Sequence, residues 1–595
     1  MAEIHILGWA DYLVIAITLC ISVGIGIYYR FSGGRQKTME EYFIASRSMS
    51  IVPVAIALVV SFMSAITLLG VSAENYTYGT QFVVINISYL LGTPIVCYGF
   101  LPVFFKLQAT SAYEYLEKRF GVKTRMMASF VYWIQLLLYS GVVLYAPSLA
   151  LEATTGISKT ASIVIIGLVC AFYSSIGGIK AVLITDVFQA LLMFTAVFTV
   201  IGIAAKEAQG LGQIWEIAKQ GHRIEFDSTD VDPTVRHTWW SLVIGGLCTF
   251  LSLYGVNQVQ VQRMMTVKNI RASQKALWLS WPILTFLSIS TCFSGLAIYS
   301  KYHNCDPIRQ NRITSPDMLM PLYVMDTMSN MPGLPGLFIA GIFSAGLSTI
   351  SAALNSLAAV TLEDYLKPVY RKCTGREFSP TKSTSVAKVL AFMFGLISIA
   401  LAFLAQLLGG VLQAGLTIFG VVGGPLLGIF TLGMSTRTAT ESGAITGGLT
   451  ALCFLFWIAF GQPRPMPPTL PTSTEGCKGN NLANVTISVA QNFTNFSRST
   501  GDSSYFYLYR ISYMWYSVLG FLITFILGLL VSMLSRAINK KQTVDLDPNL
   551  FFPVIARRMR SKQSADVEII DGCNAQEKKY SFNAVCENEK MSTKL

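Results

Sequence analysis

Long apolar stretches separated by short polar segments recur along the chain from Tyr12 to Leu534. Each stretch is about 20 residues long, the length with which an α-helix crosses the hydrocarbon core of a bilayer. No basic region precedes the first stretch and no small-residue cleavage site follows it, so we predict a retained span rather than a signal peptide. Thirteen spans are predicted, at 10–29, 51–73, 82–105, 125–151, 159–178, 183–205, 238–260, 276–300, 334–360, 385–406, 408–433, 441–460 and 512–534.

Basic residues concentrate in loops that fall on one side of the membrane if all thirteen spans form, and that side is predicted to be cytoplasmic. The N-terminus is then extracellular and the C-terminus cytoplasmic, in a multi-pass protein of the plasma membrane. The four loops carry Arg30, Arg35, Lys37 and Arg47; Lys106, Lys118, Arg119 and Lys123; Arg263, Lys268 and Arg271; and Lys367, Arg371, Lys372 and Arg376.

Two segments outside the spans carry short motifs. The predicted extracellular loop at 461–511 contains three N-glycosylation sequons, at Asn484, Asn492 and Asn495. The polar tail at 541–595 is predicted to be disordered. Its end, Ser592 to Leu595, suits docking as an added strand in a PDZ-domain protein, and an arbitrary tail is the equal alternative.

Composition supports a membrane protein and excludes several other classes. Apolar residues make up 53% of the chain and charged residues only 13%, whereas soluble domains carry about 25% charged residues. The net charge of +12 comes from the short loops, so nucleic acid is not a predicted partner. The eleven cysteines form no CxxC pair. No HExxH, no GxSxG with partners and no phosphate loop is present, so no enzyme activity is predicted.

The second and seventh spans contain glycine and hydrogen-bonding groups inside apolar sequence. The second passes from 61–70 (SFMSAITLLG) into Ser72, Glu74 and Asn75, and the seventh runs through 253–260 (LYGVNQVQ). Irregular backbone in a membrane is tolerated where it lines a cavity. Two interrupted spans at corresponding places of two halves are typical of a transporter with inverted repeats. Polar packing between helices is the alternative interpretation.

Two further spans carry candidate ligands for a cation. The ninth has hydroxyls at helical spacing around Ser348 and Thr349, which suit Na⁺ unless they bond back to their own helix. Asp186 is a rare carboxylate within a span, with Gln189 on the same helix face. A buried charge needs a partner. A cation between Asp186, Gln189 and oxygens of another span would supply one; a capping Asp is the alternative.

Seven motifs in order resemble the sodium/solute symporter family, which includes glucose, iodide, multivitamin and monocarboxylate transporters. The resemblance covers nearly all of residues 8–536. The motifs are SFMSA at 61–65, TSAYEYLEKRF at 110–120, GVVLYAP at 141–147, GGIKAV at 177–182 with TDVFQ at 185–189, YGVNQ at 254–258, PGLPGLF at 332–338 and LST at 347–349.

The resemblance implies an all-α, LeuT-like core of ten helices in two inverted five-helix repeats, with one helix before it and two after. The corresponding regions are 1–50 (extra helix and first loop), 51–205 and 206–433 (the repeats), 434–540 (two helices and the glycosylated loop) and 541–595 (tail). Sodium, the only implied metal, is co-transported. Its implied site is Ser348, Thr349, the Ala345 carbonyl and groups near Ser64. The iodide-type branch implies a second sodium region at Ser61, Asp186, Gln189 and Gln258.

The resemblance also bears on the substrate, through the predicted lining residues Phe62, Thr67, Tyr139, Leu416 and Thr417. Iodide transporters have Gln at the position of Thr67. The TSAYEYLE motif and 145–151 resemble multivitamin transporters, whereas 299–307 and Cys477 resemble monocarboxylate transporters. The second span departs from both at 71–75 (VSAEN).

A mostly apolar lining cannot satisfy the many hydroxyls of a sugar, whereas one carboxylate can meet the N–H groups of a broken helix. We therefore predict sodium-coupled import of a small organic anion: monocarboxylates such as lactate, pyruvate, short-chain fatty acids or nicotinate. The alternatives are a biotin and pantothenate transporter, and a solute-gated sensor or ion-conducting protein on the same fold.

One disulfide is predicted on the outer side. Cys305 and Cys477 each fall in a predicted extracellular segment, where the setting is oxidising. Each is the only cysteine of its own loop, so oxidation of both would join them.

Overall fold

The computed structural model describes residues 7–31, 39–108, 111–176, 178–406, 410–465, 467–477, 505–539 and 546–561. Within these ranges the chain is helical, and the β-type pairing is limited to an isolated bridge between Met49 and Val267. The three sequons and the last four residues lie outside the described residues.

The helices are numbered here in chain order. They are α1 Trp9–Phe31, α2 Met39–Ile44, α3 Ile51–Val60, α4 Ala65–Tyr78, α5 Ile85–Ile95, α6 Leu101–Leu107, α7 Glu114–Arg119, α8 Val122–Thr155, α9 Lys159–Ile176, α10 Ile179–Glu207, α11 Leu211–Gln220, α12 Gly246–Phe250, α13 Gln258–Met264, α14 Ile270–Tyr302, α15 Leu319–Met328, α16 Leu334–Val360, α17 Lys367–Thr374, α18 Pro380–Ala405, α19 Val411–Ile418, α20 Gly424–Ser435, α21 Glu441–Phe460, α22 Tyr507–Arg510, α23 Tyr516–Asn539 and α24 553–561. Turns of π-helix extend several of them, including Val96–Phe100, Leu251–Val256 and Phe419–Gly423.

Ten helices in the described part of the chain are long and apolar enough to cross a membrane, and two bent pairs raise the number to twelve. The shorter apolar helix Lys159–Phe172 lies at the remaining predicted position. Each of the thirteen predicted spans therefore coincides with a helix or a bent pair, and the all-α membrane fold is confirmed.

The bends lie in the second and seventh spans, as predicted. α3 meets α4 at 54°, and Ser241–Val256 meets α13 at 56°. At the second bend Asn257 takes an extended conformation, and its side-chain oxygen accepts the N–H of Val259 at 2.9 Å. Asn is a favoured N-cap because it satisfies a donor that the helix start leaves free. At the first bend Ser64 is extended in the same way and precedes α4.

The centre of the bundle is α16, whose residues are nearly all buried. Glycine allows a close approach here. A Cβ on Gly341 would lie 2.6 Å from the Cβ of Ala196 and 2.8 Å from the carbonyl oxygen of Leu192, so α16 and α10 could not keep their present distance with a larger residue. Small residues at such contacts are a common device of helix packing in membranes.

The first helix is fastened to α16 by one carboxylate. Asp11 is 5% exposed, and its Oδ1 accepts the N–H groups of Gly333 and Gly336 at 3.0 and 2.9 Å. Its Oδ2 accepts the N–H of Gly8 at 2.9 Å. The start of α16 thereby gains the acceptor, and the negative charge, that a helix N-terminus lacks.

The loops at one end of the bundle are tied together. Cys305 and Cys477 are joined by a disulfide. Gly476 donates its N–H to the carbonyl of Asn304 at 2.9 Å, and Asp306 donates to the carbonyl of Ser473 at 3.0 Å. The segment 467–477 is thus packed back onto the bundle instead of extending from it.

The tail is predicted to be disordered from residue 541, but residues 546–561 are ordered in the structure. This segment contains a 3₁₀ turn, Pro548–Leu550, and the helix α24. Leu550, Phe551, Ala556 and Met559 are all buried. The reason is local: apolar residues at 550–552 interrupt the polar sequence and pack against the bundle.

We expect Asp11→Ala to destabilise the protein by about 1–3 kcal/mol, because three N–H groups lose their acceptor. Thermal unfolding in detergent measures this as a lower melting temperature. Asp11→Asn keeps one acceptor oxygen and should fall between the two. Asp227→Ala, at an exposed loop aspartate, is the control. Equal melting of Asp11→Ala and the unmutated protein would contradict this role of Asp11.

Candidate functional site

Both bends open onto one cavity in the middle of the bundle, whose unfilled space of about 670 Å³ includes a part that is open to solvent. Its lining is largely apolar, and no charged side chain is among the described residues that form it. The lining residues are Ser61, Phe62, Ile66, Thr67, Leu136, Tyr139, Leu253, Asn257, Val259, Gln260, Thr349, Ala353, Leu412, Gly415, Leu416 and Phe419.

Four of the five predicted substrate-binding residues line this cavity: Phe62, Thr67, Tyr139 and Leu416. The Tyr139 ring packs against the ring of Phe419, with 4.4 Å between the centroids. Thr417 is buried and is not among the lining residues. It follows Leu416 on α19, so the two side chains point in directions about 100° apart, as helix geometry requires.

The predicted hydroxyl face of α16 lies next to the first bend. Thr349 lines the cavity, and its Oγ1 donates to the Ala345 carbonyl at 3.1 Å. Ser348 is fully buried. Across the bend, Ser64 Oγ accepts the hydroxyl of Tyr139 at 3.3 Å. The oxygens implied for the first sodium site therefore come from α16 and from the start of α4.

Asp186 has a different partner from the predicted cation. Arg263 Nη2 lies 3.0 Å from Asp186 Oδ2, and both side chains are buried. Ser348 Oγ donates to Asp186 Oδ1 at 2.5 Å. The sequence predicts Arg263 in a cytoplasmic loop, whereas it lies inside α13 and is the counter-ion of Asp186. Glutamines alternate with valines at 258–262, and this pattern does not mark the segment as part of an apolar span.

Arg263 has a second contact that explains its position. Its Nη1 donates to the Ala57 carbonyl at 2.5 Å. The next carbonyl, that of Leu58, accepts from Tyr254 Oη at 2.9 Å and from Gln260 Nε2 at 3.2 Å. Ser61, at the end of α3, also donates its N–H to the Ala57 carbonyl at 3.0 Å. Side chains from the seventh span thus add hydrogen bonds to carbonyls at the end of α3, where the second span breaks.

The other residues implied for the second sodium region are Ser61, Gln189 and Gln258. Ser61 lines the cavity and donates to Gln260 Oε1 at 3.3 Å. Gln189 is fully buried, and no hydrogen-bond partner for its side-chain amide is found among the described residues. Gln258 Oε1 accepts the N–H of Ala112 at 2.7 Å. Gln260, two residues further on, lines the cavity.

An ion pair lies at the far end of α4. Glu74 accepts from Arg236 Nε and Nη2 at 2.6 and 3.0 Å, and Arg236 Nη1 donates to Gln413 at 2.9 Å. Burial opposes the charge of Arg236, but Glu74 outweighs it and raises the pKa of Arg236 above its ordinary value. Burial lowers the pKa of His237, which lies 3.2 Å from Glu74.

This cluster joins α4 to α19 at the rim of the cavity, because Leu412 and Leu416 on α19 line it. The sequence singled out Glu74 only as a polar residue in the second span. Its partner Arg236 lies in a long loop, 162 residues away along the chain, where no local pattern marks it.

Comparison with known proteins places this geometry in a family. A family model described as "Sodium:solute symporter family" matches residues 42–451. A Drosophila melanogaster protein described as "Putative sodium-dependent multivitamin transporter" is 52% identical over 572 residues, which is 94% of this chain and 93% of that protein. The sodium-coupled monocarboxylate transporter 1 of Homo sapiens is 40% identical over 552 residues, covering 90% of this chain and 88% of its own.

One solved structure supports the same fold. A sodium-coupled sialic acid symporter in a substrate-bound outward-open state aligns with a TM-score of 0.70 at 24% identity, over 89% of this chain and 98% of that one. The LeuT-like architecture is therefore confirmed, with bends in the second and seventh spans. Since the family model and both relatives span most of the chain, this protein belongs to the sodium:solute symporter family.

Proposed function

We propose that this sodium-coupled symporter imports small organic anions that carry one carboxylate, with an apolar body that fills the central cavity. The observation that carries the proposal is a largely apolar cavity at which two helices begin, with no charged side chain among the described residues that line it. The N–H groups at the start of α4 and α13 favour negative charge. Few polar groups are available for a substrate with many hydroxyls.

Two substrate groups fit this description. Lactate, pyruvate, short-chain fatty acids and nicotinate are the first, and the human relative is named for monocarboxylates. Biotin and pantothenate are the second, and the higher identity to the Drosophila protein favours them. Both groups carry a single carboxylate, so the same helix ends could bind either.

We assign one sodium to Ser348, Thr349, the Ala345 carbonyl and the region of Ser64. A hydroxyl that donates its proton to a carboxylate still presents its lone pairs to a cation, and Ser348 donates to Asp186. The hydroxyl and carbonyl oxygens are ligands that suit a hard cation. Asp186, Gln189, Ser61 and Gln258 form the proposed second region. There Gln189 is buried without a partner among the described residues.

The proposed cycle is alternating access. One repeat moves against the other around the central site. We further propose the plasma membrane as the location, with the N-terminus outside and the C-terminus in the cytoplasm. The basic loops and the clustered sequons of the sequence support this orientation.

The first prediction concerns substrates. Cells that express the protein should accumulate at least one of lactate, nicotinate, biotin or pantothenate in sodium buffer and not in choline buffer. Accumulation of glucose without any of these acids would refute the proposed substrate class. A sodium-dependent current without accumulation would instead support the sensor or channel alternative.

The second prediction concerns the first sodium site. Ser348→Ala with Thr349→Ala should abolish sodium-driven uptake at near-normal surface expression, because two hydroxyl ligands are removed. Ser398→Ala with Thr361→Ala is the matched control, since both of these hydroxyls bond to carbonyls of their own helices. Unchanged sodium activation in the first double variant would discard this site.

The third prediction concerns the Asp186–Arg263 pair. Asp186→Asn should weaken sodium activation much more than substrate affinity at saturating sodium. Arg263→Gln leaves a buried carboxylate without its counter-ion, which typically costs about 3–5 kcal/mol, so surface expression should fall. Combining both changes should restore expression but not sodium activation. Surface labelling and the sodium dependence of uptake separate the two effects.

The control for this pair is Lys301→Gln with Glu207→Gln, which neutralises an exposed ion pair. Exposed pairs contribute about 0–1 kcal/mol, so both expression and sodium activation should stay near normal. Normal sodium activation in the Asp186→Asn, Arg263→Gln double variant would show that the pair is structural only.

A further inference from the structure

Residues 546–561, here called the tail segment, fold back onto the bundle end where the last span emerges. Phe551 is 1% exposed. The Phe552 ring meets the ring of Phe100 edge-on, with 5.2 Å between the centroids. Phe552 also donates its N–H to the carbonyl of Met434 at 3.0 Å. The segment therefore has a defined seat made of bundle residues.

The seat spans both repeats. Phe100 lies in the third span, within the first repeat, and Met434 lies at the end of α20, the last helix of the second repeat. Arg119, which also lies in the first repeat, has its guanidinium 5.2 Å from the centre of the Phe551 ring. The tail segment thus touches the first repeat through two aromatic rings and the second through a backbone hydrogen bond.

The ends of the two repeats are also joined directly, without the tail segment. Arg119 donates to the carbonyls of Gly433 and Thr436 at 3.0 and 2.6 Å, and it is 5% exposed. The contacts of the tail segment are mainly aromatic and apolar. Only a short part of the segment is buried, and α24 exposes Val554, Arg557 and Arg558. Such a segment can leave its seat without unpairing the charges of the core.

We propose that the tail segment is an autoinhibitory clamp that fastens the end of the first repeat to the end of the second and slows the exchange between access states. The proposal rests on the transport cycle proposed above, in which the repeats move against each other. Conformational steps limit the turnover of many proteins. Phe551 and Phe552 are the anchors, and the occupant of the seat is this chain's own tail.

Phe551→Ala with Phe552→Ala tests the clamp. Uptake at saturating sodium and substrate, per surface molecule, should rise at least about twofold, because a lower barrier to exchange raises turnover. Half-saturation for sodium should not change, since no ligand is touched. Val554→Ala is the matched control, because Val554 is 65% exposed on the same segment. Unchanged or lower uptake in the double variant overturns the proposal.

A second readout does not depend on transport. Trypsin added to inside-out membranes should cut at Arg557 and Arg558 faster in the double alanine variant than in the unmutated protein. Equal cutting rates would show that the two rings do not hold the segment, which also overturns the proposal. If the double alanine variant is cut faster but neither protein accumulates substrate, the proposed function fails while the docking of the tail segment by Phe551 and Phe552 stands.

Two further sets of variants keep the test valid if the double alanine variant does not reach the surface. Deletion of 546–595 should raise turnover, whereas deletion of 562–595 should not. Cross-linking also reverses the effect: a Cβ at Gly99 would lie 3.6 Å from the Phe552 ring. Gly99→Cys with Phe552→Cys, joined by a reducible linker, should transport more slowly until reductant is added. Equal rates before and after reduction count against the clamp.

Discussion

The constraint on which the rest of this structure depends is that backbone groups inside a bilayer must find partners within the protein. A break in a spanning helix leaves carbonyls at one end and N–H groups at the other. At the first break the Ala57 and Leu58 carbonyls accept hydrogen bonds from Arg263, Tyr254 and Gln260. These side chains come from the seventh span, which is itself broken. The broken end of α3 is therefore supported by the other broken span, and polar residues of both line the cavity.

The buried charge of Arg263 then requires its own partner, because an unpaired ion in the interior is strongly unfavourable. Asp186 on α10 supplies that charge, and Ser348 on α16 donates a hydrogen bond to the other carboxylate oxygen. One contiguous chain thus runs from the end of α3 through Arg263 and Asp186 to the hydroxyl face of α16. Binding of a cation by Ser348 would change the field at Asp186. This gives sodium a physical route to the broken helices.

Sequence reasoning found what depends on local pattern. Spans follow from apolar length, and the two bends follow from Gly255, Asn257 and the serines near residue 61. It did not find contacts that depend on tertiary structure. Gln260 meets Ser61 and the Leu58 carbonyl, which lie 199 and 202 residues away along the chain. Arg236 lies in a loop far from Glu74 in sequence. Phe551 and Phe552 were overlooked because the polar tail around them dominated the composition of that segment.

The described residues that line the cavity carry no charged side chain, and this has a consequence for coupling. An anion in this cavity would be stabilised by helix ends alone until sodium is present, and helix ends contribute only partial charges. Sodium bound near Thr349, which lines the same cavity, would add a full positive charge in a region of low dielectric. Substrate affinity would then rise with sodium, and by linkage sodium affinity would rise equally with substrate. A permanent lysine or arginine in the cavity would bind the anion without sodium and remove this dependence. A lining free of charged side chains is thus the arrangement in which an anion's binding depends most on its co-transported cation.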